Sequence, residues 1–222
     1  MQAPTYAGGM LFSRQKVTLI EPDRALAGRD TPVLRHPVFH EIFGNRLDVV
    51  PAGSEVAYFG LGCFWGAEKL YWQTEGVTLT AAGYQGGYTP NPTYDEVCSA
   101  RTGHVEVVKV AFDPKVVSYA DLLKIFFENH NPTQGMRQGH DVGTQYRSVI
   151  YPTTPEQAAV ARQVRDDYTT AFVRAGYGEI TTEITEQAPE FFYAEDYHQQ
   201  YLSAGKNPNG YCPVHATGVT CS

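Results

Sequence analysis

The amino-acid sequence predicts an α/β (α+β) fold, a two-layer sandwich of helices on one mixed β-sheet. Three observations carry this reading. Strand and helix patterns alternate from Glu55 onward, no internal repeat or low-complexity tract interrupts them, and 222 residues that are 42% hydrophobic suit one core better than two.

Residues 1–53, rich in Pro, Arg and Gly with weak periodicity, read as an extended arm over the surface that carries no chemistry. Residues 54–222 read as the single functional domain. EVAYFGL from Glu55 is a short buried strand broken at the Gly62-Cys63 junction, FWGAEKLYWQT a helix and VTLTAAGY a second strand. PTYDEVCSARTG suggests a short helix. HVEVVKVAF follows as a strand in which Val105, Val107 and Val110 alternate with polar residues; by pattern alone its Glu106 is a solvent-facing charge.

SYADLLKIFFENH is a helix capped by Ser118 with Asp121, and Leu122, Ile125 and Phe126 form its core-facing stripe. NPTQGMRQGHDVGTQ reads as a long polar loop and YRSVIY as a short strand. Thr154, Pro155 and Gln157 then open a long helix through Ala161, Val164, Tyr168 and Phe172, stopped by Gly176, and ITTEIT is a further strand. The Gly and Pro content of the tail, residues 203–222, predicts mobile coil.

With 17 Lys+Arg against 24 Asp+Glu, a formal charge of -7 and no block of like charge, neither nucleic acid nor an anionic membrane suits the chain as a partner. In the opening residues the basic groups follow a short apolar stretch, and no apolar run has membrane-spanning length, so a soluble, cytoplasmic protein is expected. The chain is also expected to be a monomer. Four cysteines without a C-x-x-C pair exclude a disulfide scaffold and suggest no metal site.

Cys63 ends a strand and begins a helix, so its sulfur should meet the free N–H groups and positive dipole of the helix start. Such a seat lowers a cysteine pKa from about 8.5 to well under 7.5 and favours the nucleophilic thiolate, though position alone fits a buried core cysteine equally well. Phe64 and Trp65 set aromatic faces beside the sulfur, suited to a small apolar group such as an S-methyl, or simply to anchoring the helix.

G-C-F-W-G-A-E at Gly62 to Glu68 resembles the active-site signature of the type A peptide methionine sulfoxide reductases. GYQGGYTPNPTYDEV, TGHVE, GTQYRS and AEDYHQQYL match that family too, in its order, so the resemblance runs from about Glu55 to Cys221. It implies a ferredoxin-like core and a thiol-dependent reduction of methionine-S-sulfoxide, free or in proteins, with no bound cofactor.

By the same resemblance Cys63 attacks the sulfoxide sulfur and Glu106 is the acid, a carboxyl that a dry aromatic setting would keep protonated. Tyr94 and Tyr146 correspond to two phenols that bond the sulfoxide oxygen, and Asp141 to a carboxylate that orders the pocket. Cys63 becomes a sulfenic acid, Cys212 condenses with it, and Cys221 carries the disulfide to thioredoxin or a similar thiol donor. Between these two cysteines stand Pro213, which stiffens the step after Cys212, and His215, where many relatives have a Gly-rich run. Cys98 matches no relay position and its helical setting favours packing; Arg137, His140 and His198 receive no catalytic step.

Two other classes are compatible with parts of the sequence. One is a cysteine hydrolase with Cys63 as nucleophile and His104 or His140 as base, although the local signatures of such enzymes are absent. The other is a redox-switched binding module with a cage of Trp65, Tyr94 and Tyr146.

Overall fold

A computed structural model of the chain describes residues 16–35, 37–212 and 215–221; Pro213, expected to stiffen the tail, and the first fifteen residues of the arm lie outside them. The elements are β1 (Glu55–Leu61), α1 (Phe64–Trp72), β2 (Val77–Gln85), α2 (Tyr94–Cys98), β3 (Val105–Phe112), α3 (Tyr119–Glu128), β4 (Arg137–Gln138), β5 (Asp141–Val142), β6 (Ser148–Tyr151), α4 (Pro155–Arg174), β7 (Glu183–Ile184) and β8 (Phe191–Tyr193).

Six strands form one sheet in the order β7-β6-β1-β3-β2-β8, antiparallel except for the parallel pair β6 and β7. Its inner four strands, with α1 and α3 as crossovers, have the β-α-β-β-α-β order of a ferredoxin-like core. The sheet is mixed and carries helices on one face, as the alternating pattern predicted. Capping proceeds as read from the sequence: Ser118 and Asp121 form a reciprocal capping box at α3, and Thr154 accepts the Gln157 N–H at α4.

Three local readings need revision. Val105, Val107 and Val110 do not share a face: with a side-chain period of 2, Val105 and Val107 point away from the helices, while Val108, Val110 and Phe112 join the helix-side core. Glu106 therefore points into the helix layer and is buried, not solvated. The polar loop before β6 contains the two-residue hairpin strands β4 and β5, and β8 adds a strand at the far edge, both too short for a periodic signal.

Part of the second face of the sheet is covered by the arm; Ala188 and Phe191 pack against Val105, Val107, Val149 and Tyr151 on the same face. Leu34 and Leu47 are buried against Leu79, Ala81 and Ala111, with Val38, Val50 and Val56 packed around them. Without this cover the apolar residues of β2 and β3 on that side would face water, at about 25 cal/mol per Å². No helix among the described residues is long and apolar enough to cross a membrane.

Leu47 is fully buried, so Leu47→Ala is expected to destabilise the protein by about 2–5 kcal/mol. Chemical denaturation measures this; an unchanged midpoint would show that the arm contributes nothing to the folded unit.

Candidate active site

Everything at the site converges on the first turn of α1. Gly62, with φ +101, makes the turn out of β1 that a side chain would strain, and Cys63 is the N-cap residue of the helix. The next three amides are free donors, as in any helix start. Each meets an acid: Phe64 N–H donates to Glu106 Oε2 at 3.0 Å, Trp65 N–H to the Cys63 sulfur and Gly66 N–H to the Cys212 sulfur.

Glu106 is fully enclosed, and its second oxygen, Oε1, has no hydrogen-bond partner among the described residues. Burial pushes its carboxyl up to about 8; the Phe64 amide opposes the shift, while Asp141 and Cys212 add to it. At neutral pH the group holds a proton, which makes it a donor.

Cys63 and Cys212 form a hydrogen-bonded thiol pair, neither of them in a disulfide. Gly66 permits this approach, since a Cβ there would lie 3.1 Å from the Cys212 sulfur. The helix start does not lower Cys63 as the sequence suggested. Its proton is held by the hydrogen bond to Cys212, then by burial and by Glu106, and one amide does not compensate. Cys212 is lowered by the same hydrogen bond, helped by Gly66 N–H, so of the two thiols Cys212 gives up its proton the more readily.

Phe64, Trp65, Tyr94 and His198 assemble an aromatic wall. Ring centroids lie 5.1 Å apart for Phe64 and His198 and 4.5 Å for Tyr94 and His198, and Trp65 stacks on Tyr201 at 4.0 Å. Trp65 Nε1–H donates to His198 Nδ1 at 2.9 Å, and burial lowers His198 to about 4, so its imidazole is neutral with the proton on Nε2. Tyr94 and Tyr146 are both raised by burial first and by Glu106 second, which sets their phenols near the carboxyl as un-ionised donors. Asp141, at the hairpin β4-β5, lines a small cavity with Cys63, Gln138 and His215.

All sequence-derived site residues except one meet at this helix end. Cys221 lies against Val164 and Tyr168 between α3 and α4, in a separate groove. Cys98, at the end of α2, is half-buried, and its thiol is raised to about 11 by burial first and then by Glu106. His198, Tyr201 and Glu195 were given no role by sequence reasoning. They stand in AEDYHQQYL, whose match was visible, but no spacing rule assigns a histidine to an aromatic wall 133 positions away from its indole. The hydrolase reading loses its bases: His104 accepts Gly87 N–H at Nδ1 and donates to the Thr89 carbonyl at Nε2, while His140 is exposed.

A half-buried thiol pair facing a protonated carboxyl beneath aromatic rings defines a thiol-based oxidoreductase site. Comparison with known proteins narrows the class. The model of the family described as peptide methionine sulfoxide reductase matches residues 55–220. The peptide methionine sulfoxide reductase MsrA of Salinispora tropica is 57% identical over 215 residues, 96% of each protein, and MsrA 1 of Synechocystis sp. is 58% identical over 212 residues, 95% of this chain and 93% of that protein. Among solved structures, methionine sulfoxide reductase A of Corynebacterium diphtheriae superposes with a TM-score of 0.82 at 48% identity, covering 92% of this chain and 98% of that one. Reduced Mxr1 from Saccharomyces cerevisiae gives 0.66 at 33% identity, over 74% of this chain and 92% of that one.

The chain belongs to the type A peptide methionine sulfoxide reductases. It is an enzyme that reduces methionine sulfoxide by thiol chemistry.

Mild oxidation of the reduced protein with diamide should join Cys63 to Cys212 before any other pair, because these two thiols interact directly at the start of α1 while Cys221 lies in a separate groove. Peptide mapping reads the bond; a first bond to Cys98 or Cys221 would contradict the geometry.

Proposed function

We propose that Cys63 is the nucleophile toward the S-epimer of methionine sulfoxide, with Glu106 as acid and the Phe64, Trp65 and Tyr94 rings holding the S-methyl group. The observation that carries this is Glu106: a fully buried, protonated carboxyl anchored on the Phe64 amide, with one oxygen uncommitted. Its proton goes to the sulfoxide oxygen as the Cys63 sulfur bonds to the substrate sulfur, while Tyr94 and Tyr146 donate hydrogen bonds to that oxygen and Asp141 orders the pocket.

Attack requires the Cys63 thiolate. Cys212, the more readily ionised of the two, first releases its proton to solvent; transfer of the Cys63 proton to the Cys212 thiolate then supplies the Cys63 thiolate, beside the Trp65 and Gly66 amides. When the sulfoxide oxygen has moved to Cys63, methionine leaves and Cys63 is a sulfenic acid. Cys212 attacks that sulfur, a disulfide forms and water departs. Cys221 then attacks the Cys212 sulfur, releasing the Cys63 thiolate, and a thioredoxin-like dithiol protein reduces the Cys212–Cys221 bond.

For Cys221 to reach Cys212 the tail leaves the groove between α3 and α4, a movement supported by Gly218, at φ +77, and by the absence of helix or strand in the described tail residues. We read the enzyme as a cytoplasmic monomer acting on free or peptide-bound methionine sulfoxide with no bound cofactor; its charge of -7 disfavours nucleic acid.

Two measurements test the reading. In single turnover, the rate of methionine formation should fall as pH rises through about 8, because the acid form of Glu106 exists below its pKa and is lost above it. Glu106→Gln should remove that limb and slow the step by roughly 10²–10⁴-fold; an unchanged rate takes Glu106 out of the role. With a thioredoxin-type reductant, the protein carrying both Cys212→Ser and Cys221→Ser should release one methionine and stop with Cys63 oxidised, whereas continued turnover would exclude the relay.

A further inference from the structure

A buried hydrogen-bonded chain outside the reacting groups links the N-terminal arm to the aromatic wall. His40, in the arm, accepts the Ile42 and Phe43 amides at Nδ1, 3.0 and 3.3 Å, so its proton is on Nε2 and is donated to Thr80 Oγ1 at 2.8 Å. Burial lowers His40 to about 4, which keeps the ring neutral. Thr80, on β2, in turn donates its hydroxyl to Glu68 Oε1 at 3.0 Å.

Glu68, one turn beyond the reacting end of α1, is fully buried and binds Gln200 twice: Gln200 N–H donates to Oε2 at 2.8 Å and Gln200 Nε2–H to Oε1 at 2.6 Å. The arm reaches Gln200 a second time, since Glu41 N–H donates to its Oε1 at 3.3 Å.

Gln200 is the point at which this matters. It is one of three non-glycine residues with positive φ among the described residues, at +47, a sparsely populated conformation that persists only when its surroundings enforce it. The turn at Gln200 doubles the chain back, with Tyr201 N–H bonded to the His198 carbonyl at 3.2 Å. As a result, His198 and Tyr201 reach the same indole, one accepting from Trp65 Nε1 and the other stacked on its ring. An extended Gln200 would carry Tyr201 away from His198.

We propose that His40, Thr80 and Glu68 are positioning residues: they hold the left-handed turn at Gln200 that aligns His198 and Tyr201 on Trp65, so that the arm sets the shape of the methionine pocket. His40 lies outside residues 55–220, the span matched by the family model, whereas Glu68, Thr80 and Gln200 lie inside it, so the arm supplies the one member of the device that the family model does not cover. The inference rests on the reading of Trp65 as a wall of that pocket.

The test uses the whole chain with Trp72→Phe, which leaves Trp65 as its one indole. Thr80→Val removes the hydroxyl and keeps the shape; Thr80→Ser keeps the hydroxyl. For a methionine sulfoxide peptide, Thr80→Val and His40→Ala should raise KM about tenfold with kcat within about twofold, and should shift Trp65 emission to longer wavelength. Thr80→Ser should match the parent in both. A folded Thr80→Val protein with unmoved emission overturns the positioning role, whatever its KM. A shifted emission with unchanged KM overturns instead the assignment of Trp65 to the methionine pocket, and with it the catalytic purpose of the chain.

Discussion

Three consecutive backbone amides at the start of α1 are shared among three acids: Phe64 N–H serves Glu106, Trp65 N–H serves Cys63 and Gly66 N–H serves Cys212. A helix start offers such donors and a positive dipole end, and little else near these acids stabilises charge. The donors are limited, so the acids compete for them. Glu106 receives one amide against full burial and stays protonated near neutrality; in the thiol pair Cys63 is held in its protonated form and Cys212 is eased toward its ionised one. The acid is thus set apart from the nucleophile by the order in which three amides face three side chains.

The rest of the fold maintains that order. Antiparallel pairing of β1 with β3 brings the end of β1, and so Cys63, beside Glu106 at the beginning of β3. The glycine at position 66 admits the tail sulfur to the same helix end. The hairpin β4-β5 adds Asp141 from the other side, its neighbour Gln138 locked by bonds to the backbone of Asn131.

Two segments that would be dismissed as coil close the arrangement. The arm fills part of the second face of the sheet and touches Gln200, and residues 198–201 fold onto Trp65. Gln199 makes a comparable fastening, bonding both the N–H and the carbonyl of Ala82 on β2 as a neighbouring strand would. Polar side chains thus take over where the regular ladder ends, and satisfy backbone groups that the ladder leaves.

The sequence by itself determined the helix and strand order, the caps at Ser118 and Thr154, the break at Gly62 and, through its motifs, the side chains gathered at the site. These are local signals: a cap, a turn or a signature is decided by residues a few positions apart. It did not determine which face of β3 holds Glu106, that the Cys63 proton is retained, that Cys221 rests between α3 and α4, or that His198 and Tyr201 clamp Trp65. Those depend on burial and on partners dozens of residues away. A carboxyl or thiol takes its protonation state from the donors and solvent around it in space, and only the tertiary structure brings those together.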